Sequence, residues 1–265
     1  MENDRNFDDL APRFQRKVYG GLKGRIRLAV LENDLHEFFP AALSPANNTP
    51  LEILDAGGGY GPFSITLAKH GHRVSICDLS AKMLQLAKER FDEQDLGHLL
   101  TLYQCPVQEL KNQVPHRFDL ALCHGVLGWV EDPGHFIDCL MNLLPGDGFL
   151  SLSFYNLNGM IYKNLLRTNY KKVLNKAYQG YPGSLTPTWP RTPEQVLAWL
   201  ACHPFDILCH SGIRVFHDYI LDPVDRDRDP DTVIDLELEF SRQLPYRDLG
   251  RYQHILGRKS PIPLD

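Results

Sequence analysis

The sequence predicts an α/β protein built on a mostly parallel sheet, and three observations predict it. From residue 51 to 155, short apolar runs rich in Leu, Ile and Val alternate with segments of helical periodicity. A glycine turn, Gly57-Gly58-Gly59-Tyr60-Gly61, joins the first run to a helix. A second run ends in an acid, Asp78, 23 residues after Asp55 closes the first. Alternating strands and helices imply parallel strands joined by right-handed crossovers, with ligands bound beyond the carboxyl ends of the strands. The 265 residues, 43% of them hydrophobic, suffice for one large domain.

The elements follow in order. Residues 1–48 read as a helical cap, with Phe7, Leu10, Phe14 and Val18 at helical spacing, and Ile26, Val30 and Leu35 less strictly so. Ser44 to Pro50 is a Pro- and Asn-bearing loop that marks a boundary. A core over 49–155 holds strands at 51–55, 73–78, 99–103, 118–123 and 148–154. Its helices fall at 62–70, 81–92, 108–112 and 134–144. Pro62 suits the first helical position, Gly71 a C-terminal stop and Ser80 an N-cap. Residues 156–190 interrupt the alternation. Met160 to Tyr178 reads as one basic amphipathic helix with Lys163, Arg167 and Lys171 on a shared face, followed by a loop holding Pro182, Pro187 and Pro190. Residues 191–265 complete the sheet. Thr192, Pro193 and Gln195 form a capping box, a helix runs to about Cys202, and strands at 205–213 and 252–258 flank a helix at 231–243.

The glycine spacing decides which ligand the turn suits. A dinucleotide fingerprint needs G-x-G-x-x-G. Starting from Gly57 or Gly59, that pattern meets Pro62 or Ser64 where the third glycine belongs. On this ground a nicotinamide oxidoreductase is the least favoured reading. What stands is Gly57-x-Gly59-x-Gly61 preceded by Asp55, which resembles the first motif of class I S-adenosylmethionine (SAM)-dependent methyltransferases. Asp78 sits where an acid meets a ribose diol in a βαβ unit. The resemblance implies a Rossmann-like, seven-stranded, mostly parallel sheet with helices on both faces, a helical cap at the N-terminus and a helical insertion after the fifth strand.

Composition narrows the partners. No run approaches a membrane span, and no signal-peptide core opens the chain. The six cysteines form no C-x-x-C pair, and the eleven histidines form no metal-ligand array. We therefore expect a cytoplasmic protein with reduced thiols and no metal. The net charge is −5, yet basic residues are segregated. Residues 13–27 hold Arg13, Arg16, Lys17, Lys23, Arg25 and Arg27 with no acid; residues 148–193 hold Lys163, Arg167, Lys171, Lys172, Lys176 and Arg191 with no acid. Such segregation gives an acidic protein one face attractive to a polyanion.

Longer strings sharpen the resemblance. His124-Gly125-Val126-Leu127-Gly128-Trp129-Val130 follows the fourth strand and Phe154-Tyr155-Asn156 the fifth. Arg214-Val215-Phe216-His217-Asp218-Tyr219 follows a late strand. Arg5-Asn6-Phe7-Asp8-Asp9 stands near the start and Leu249-Gly250-Arg251-Tyr252 near the end. Together they resemble the tRNA 5-carboxymethoxyuridine methyltransferases along nearly the whole chain. That resemblance implies methyl esterification of a wobble-uridine carboxylate by SAM, with the tRNA anticodon stem-loop as partner and a monomer or homodimer as the assembly. It implies SAM contacts from Arg27, Asp55, Gly57, Gly58, Asp78, Val107, Gln108 and His124. Gly128 departs from it, standing where glutamate is expected.

Methyl transfer to a carboxylate is an in-line displacement at an already ionised oxygen, so it needs positioning and no general base. Arginine suits the holding of a carboxylate. Arg214 is the first candidate, with His217 and Tyr219 in support and Arg191 and Arg251 as further substrate contacts. Trp129, Tyr155 and Tyr219 are candidates for stacking on a base. Lys163, Arg167 and Lys171 are candidates for RNA docking. Two other readings stand beside this one: methylation of a small carboxylate metabolite, and SAM binding without catalysis.

Overall fold

The computed structural model describes residues 6–8, 19–47, 49–115, 117–181 and 183–261. The expected helix through Leu10, Phe14 and Val18, the basic residues Arg13, Arg16 and Lys17, and Arg5, Asp9 and Pro182 lie outside the described residues.

Seven strands form one sheet in the order β3-β2-β1-β4-β5-β7-β6. They are β1 Glu52–Ala56, β2 Arg73–Cys77, β3 Leu100–Tyr103, β4 Leu120–His124, β5 Phe149–Tyr155, β6 Phe205–Ile213 and β7 Tyr252–Lys259. Pairing is parallel from β3 through β5, and β7 runs antiparallel to both β5 and β6. This is the expected architecture, with strand bounds within about two residues of the sequence reading. Alternation along β1 puts Ile53 into one core and Leu54 and Ala56 into another, on opposite faces of the sheet.

The helices are α1 Gly21–Phe38, α2 Ser64–Lys69, α3 Ala81–Asp92, α4 Val107–Leu110, α5 Pro133–Leu143, α6 Leu157–Leu166, α7 Tyr170–Leu174, α8 Pro193–Leu200, α9 Pro230–Phe240 and α10 Tyr246–Leu249. Ser80 caps α3 by accepting from the Met83 amide, and the Thr192/Gln195 capping box opens α8. Pro62 precedes α2 by two residues and does not start it, because the glycine turn extends to Phe63. The buried stripe of α1 contains two charged residues, Arg27 and Asp34, two turns apart and both directed inward.

The insertion corrects the sequence reading. Met160 to Tyr178 is not one helix: α6 ends at Leu166 and α7 starts at Tyr170, with Thr168 between them at φ 57°. A residue in the left-handed region ends a helix, so the shared face of Lys163, Arg167 and Lys171 does not exist. At the start of α6, the buried Asn156 side chain accepts from the Asn158 amide and donates to the carbonyls of Asp248 and Gly250, each at 2.8 Å. The helix is thereby fastened to the entry of β7. Among the described residues, no helix is long and apolar enough to cross a membrane.

Candidate active site

A pocket opens at the C-terminal tips of β1, β2 and β4, where the strand order reverses. Asp55, Gly57, Gly58 and Gly59 line it from the first strand, and Asp78 from the second. Val107 and Gln108 come from the start of α4, His124 from the end of β4 and Trp129 from the loop beyond it. Phe7 reaches it from the N-terminus, with its ring edge-on to Trp129 at 4.9 Å between centroids.

The glycines are steric requirements. Gly57 lies at φ 68°, and a Cβ there would come within 2.6 Å of Val126. A Cβ on Gly58 would run into the Asp55 carboxylate. That carboxylate is buried and accepts a hydrogen bond from Ser64 Oγ at the start of α2. Burial pushes the Asp55 carboxyl up to about 7; the Ser64 bond opposes the rise and the Asp78 charge adds to it. Asp78 accepts from the Gly59 amide at 2.9 Å and from the Ser80 amide at 2.8 Å, one bond to each oxygen. Burial raises its carboxyl too, against those backbone bonds. Burial first, then the neighbouring His254 and Arg27, hold His124 well below the usual imidazole range and so neutral.

Beside this pocket stands a cationic and aromatic cluster. Arg27, buried on α1, packs its guanidinium 5.0 Å from the ring centroid of Tyr19 and 4.1 Å from that of Tyr252. Arg214 lies 5.4 Å from the same Tyr252 ring, and Arg251 lies 4.7 Å from the Tyr155 ring. Lys163 Nζ is 2.9 Å from Asp218 Oδ1. Arg214 Nε and Asp218 Oδ2 face each other at 3.3 Å, both buried, without completing a hydrogen bond. Arg214, Lys163 and Arg251 thus act together on one carboxylate. Burial opposes ionisation of Asp218, but these cations outweigh it and hold the group well below the carboxylate range. Burial likewise pushes the Tyr252 phenol up, yet Arg27, Arg214 and Arg251 bring it below its ordinary value. Arg214 itself sits at φ 59°. The buried Glu237 of α9 pins the following turn by accepting from the amides of Val215, Phe216 and His217.

A family model described as a methyltransferase domain matches residues 54–152. Over 256 residues, 97% of each chain, the sequence is 38% identical to the tRNA 5-carboxymethoxyuridine methyltransferase of Escherichia coli (strain K12). The chain belongs to the tRNA 5-carboxymethoxyuridine methyltransferase family. A ubiquinone biosynthesis O-methyltransferase of Coxiella burnetii is 36% identical over 42% of this chain and 46% of its own. Among solved structures, magnesium protoporphyrin IX methyltransferase from Synechocystis PCC 6803 with bound SAH superposes at a TM-score of 0.62, covering 96% of both chains at 18% identity. Its SAM-bound form superposes at 0.57.

This member of the family is a SAM-dependent methyltransferase. The residues present fit that cofactor. The cradle at Gly57 and Gly58 is one a Cβ would fill, and two acids line a pocket for a cation. Each Asp78 oxygen spends one lone pair on backbone and keeps another for a diol.

The expected cofactor residues Asp55, Gly57, Gly58, Asp78, Val107, Gln108 and His124 all line this pocket, whereas Arg27 stands one layer behind Tyr19. Of the expected acceptor residues, Trp129 lines the pocket, and Arg214, Arg251, Tyr155 and Lys163 belong to the cluster. The others are placed elsewhere. Tyr219 spends its hydroxyl on the carbonyls of Leu249, at 2.6 Å, and Gly159, at 3.0 Å, so it ties α6 to α10. His217 is buried, with Asp227 3.5 Å away and neither ring nitrogen hydrogen-bonded. Arg191 donates to the carbonyls of Leu127 and Val130 and so holds the loop that carries Trp129. Arg167 and Lys171 are solvent-exposed.

Gly128 has a local cause. Trp189 donates its amide to the Gly128 carbonyl at 2.9 Å, and a Cβ on Gly128 would come within 2.6 Å of Pro187. The proline loop fills the space in which a longer side chain would stand. Sequence reasoning missed Tyr19, Phe63 and Met83 in the pocket. It also missed Asp8, which accepts from Ser80 Oγ at 2.5 Å and so clips the N-terminal segment onto α3. The Asn6-Phe7-Asp8 part of the N-terminal string was the available signal.

Proposed function

We propose that the protein transfers the SAM methyl group to the carboxylate of 5-carboxymethoxyuridine at the wobble position of tRNA, forming the methyl ester. The observation that carries this reading is the cluster of Lys163, Arg214 and Arg251 about Asp218, set against the pocket through the Tyr19–Arg27–Tyr252 stack. An acceptor anion entering there balances an excess of positive charge held out of water. The name of the relative that matches over 97% of its length supplies the tRNA and the nucleoside.

In this reading Arg214 and Arg251 hold the acceptor carboxylate, and Lys163 joins them through Asp218. Arg27 serves the cofactor carboxylate behind Tyr19. Asp78 takes the ribose diol, Gly57 and Gly58 admit the backbone, and Val107 and Gln108 flank the adenine. Trp129 and Tyr155 offer faces to the base. Tyr219, Arg191 and Glu237 act through the segments they hold, not on the substrate. SAM supplies an electrophilic methyl group on a sulfonium. The protein aligns the attacking oxygen with it and keeps water out while opposite charges cancel. No side chain must take a proton, because the acceptor is ionised near neutral pH. The exposed Arg167, Lys171 and Lys176, with the half-buried Lys172 and with Tyr162 and Tyr170, extend the basic surface along α6 and α7 toward the anticodon stem-loop.

The test is label transfer from methyl-labelled SAM to tRNA carrying or lacking 5-carboxymethoxyuridine. Label appears only in the modified tRNA and is released by mild alkali, as an ester requires. Label in a different nucleoside, or label stable to alkali, overturns the acceptor assignment.

A further inference from the structure

A buried hydrogen-bond chain crosses the sheet and ends at the cofactor pocket. Asp34 Oδ2 on α1 lies 2.6 Å from His254 Nδ1 on β7. His254 Nε2 lies 2.8 Å from Ser151 Oγ on β5, and the same oxygen lies 2.8 Å from His124 Nε2 at the end of β4. Asp34, His254 and Ser151 are fully buried, and His124 lines the pocket. The chain's first three members do not touch the pocket, and the reaction uses none of them.

The arithmetic of protons along this chain is strict. Asp34 also accepts from Arg242 Nη2 at 2.5 Å and from Ser211 Oγ at 3.0 Å, so it is an ionised acceptor and His254 Nδ1 carries a hydrogen. Ser151 has one hydrogen to give and two imidazole nitrogens beside it. If His254 is neutral, its bare Nε2 receives the Ser151 hydrogen. Ser151 then accepts from His124 Nε2–H, and His124 Nδ1 is a lone pair. If His254 is charged, the two bonds at Ser151 reverse, while His254 Nδ1–H still donates to Asp34, and His124 Nδ1 carries hydrogen. One added proton therefore inverts the polarity that His124 offers, with no atom moving far.

The surroundings leave little room for a second positive charge beside Asp34. Arg242 already neutralises Asp34 from the segment after α9, and its second partner, Glu37 of α1, is half exposed and screened by water. Cys209 of β6 is an uncharged thiol raised by burial, and His210 is held down to about 4 by burial and Arg247. A charged His254 would stand 6.0 Å, ring to ring, from His124 in a dry core, with Arg27 acting from the far side. Within the described protein, His124 Nδ1 makes no hydrogen bond, so it is the ring's remaining polar atom. A lone pair there suits a pocket that takes a cation; an N–H does not.

We propose that Asp34, His254 and Ser151 are positioning residues that fix His124 as the Nε2–H tautomer, so that its Nδ1 presents a lone pair to the positively charged cofactor. The inference concerns the donor side and stands whichever acceptor the enzyme methylates.

Nitrogen-15 histidine spectra of the cofactor-free, full-length enzyme read the tautomer directly, with the His124 signal assigned by its loss in His124→Asn. The wild type shows a single Nε2–H form of His124. Ser151→Ala frees the ring, giving a mixture of tautomers and a SAM dissociation constant about three- to tenfold higher, the worth of one hydrogen bond. Ser151→Thr, which keeps the hydroxyl, restores both. An Nδ1–H or mixed signal in the wild type overturns the proposal, and so does a Ser151→Ala variant whose His124 tautomer is unchanged. If neither variant folds, the wild-type spectrum alone decides.

Discussion

The donor pocket and the cationic cluster share the Tyr19–Arg27–Tyr252 stack, yet they are built in opposite ways. The pocket comes from consecutive βα units: glycines with no room for a Cβ, backbone amides, and the acids Asp55 and Asp78. The cluster comes from distant segments, with Arg27 on α1, Lys163 on α6, Arg214 after β6 and Arg251 before β7. One side is acidic and the other basic. In the proposed reaction, two reactants of opposite charge are thus held separately and neutralise each other only at the transfer step. The pocket is a local motif and the cluster is a tertiary product, so the two should fail differently.

The largest expected break is on the cluster. Arg214→Met should lower kcat/KM on modified tRNA by roughly 30-fold to 1,000-fold, the cost of removing one buried charge from a paired site, about 2–4 kcal/mol. The SAM dissociation constant should stay within about twofold; calorimetry and steady-state kinetics on the same preparation check this. A parallel loss of SAM affinity would erase the distinction between the two regions.

The converse break is Asp78→Ala, which should raise the SAM dissociation constant roughly tenfold or more by removing acceptors worth about 1.5–3 kcal/mol. Binding of modified tRNA, measured without cofactor, should not change. Docking sharpens the contrast further. Because Lys163 is committed to Asp218, Arg167→Ala with Lys171→Ala and Lys176→Ala tests the exposed surface alone. Every phosphate that one of these side chains neutralises adds about 0.7–0.9 to the slope of log affinity against log salt, so the triple variant should bind tRNA with a shallower slope. An unaltered slope would remove α6 and α7 from the RNA surface.

The last test concerns stability, not turnover or binding, and falls on the acid side. Asp55 titrates at about 7 in the folded protein, above its unfolded value. Its contribution to stability is therefore whole below about pH 4 and is lost as pH rises through 7. Asp55→Asn escapes that loss. Thermal melts of the cofactor-free enzyme at pH 4.5 and 7.5 should show the variant gaining on the wild type at the higher pH, by about 3 kcal/mol at most. A constant difference between the two would mean that Asp55 is ionised throughout.

The place of the pocket, with its glycines and acids, was legible in the chain alone: an apolar run, a glycine turn, and an acid after the second strand. These are signals within a few tens of residues, where steric demands at φ > 0 and strand periodicity leave few choices. The remainder was settled by the folded molecule. Folding broke the basic helix at Thr168, moved Tyr219 and Arg191 from substrate contact to holding backbone, and set Pro187 where a side chain on Gly128 would stand. It also joined Asp34, Ser151 and His254 into one chain across 220 residues. In sequence these are isolated polar residues with no mutual spacing. Their meaning comes from burial, which obliges every polar group to find a partner, and from the sheet, which chooses that partner.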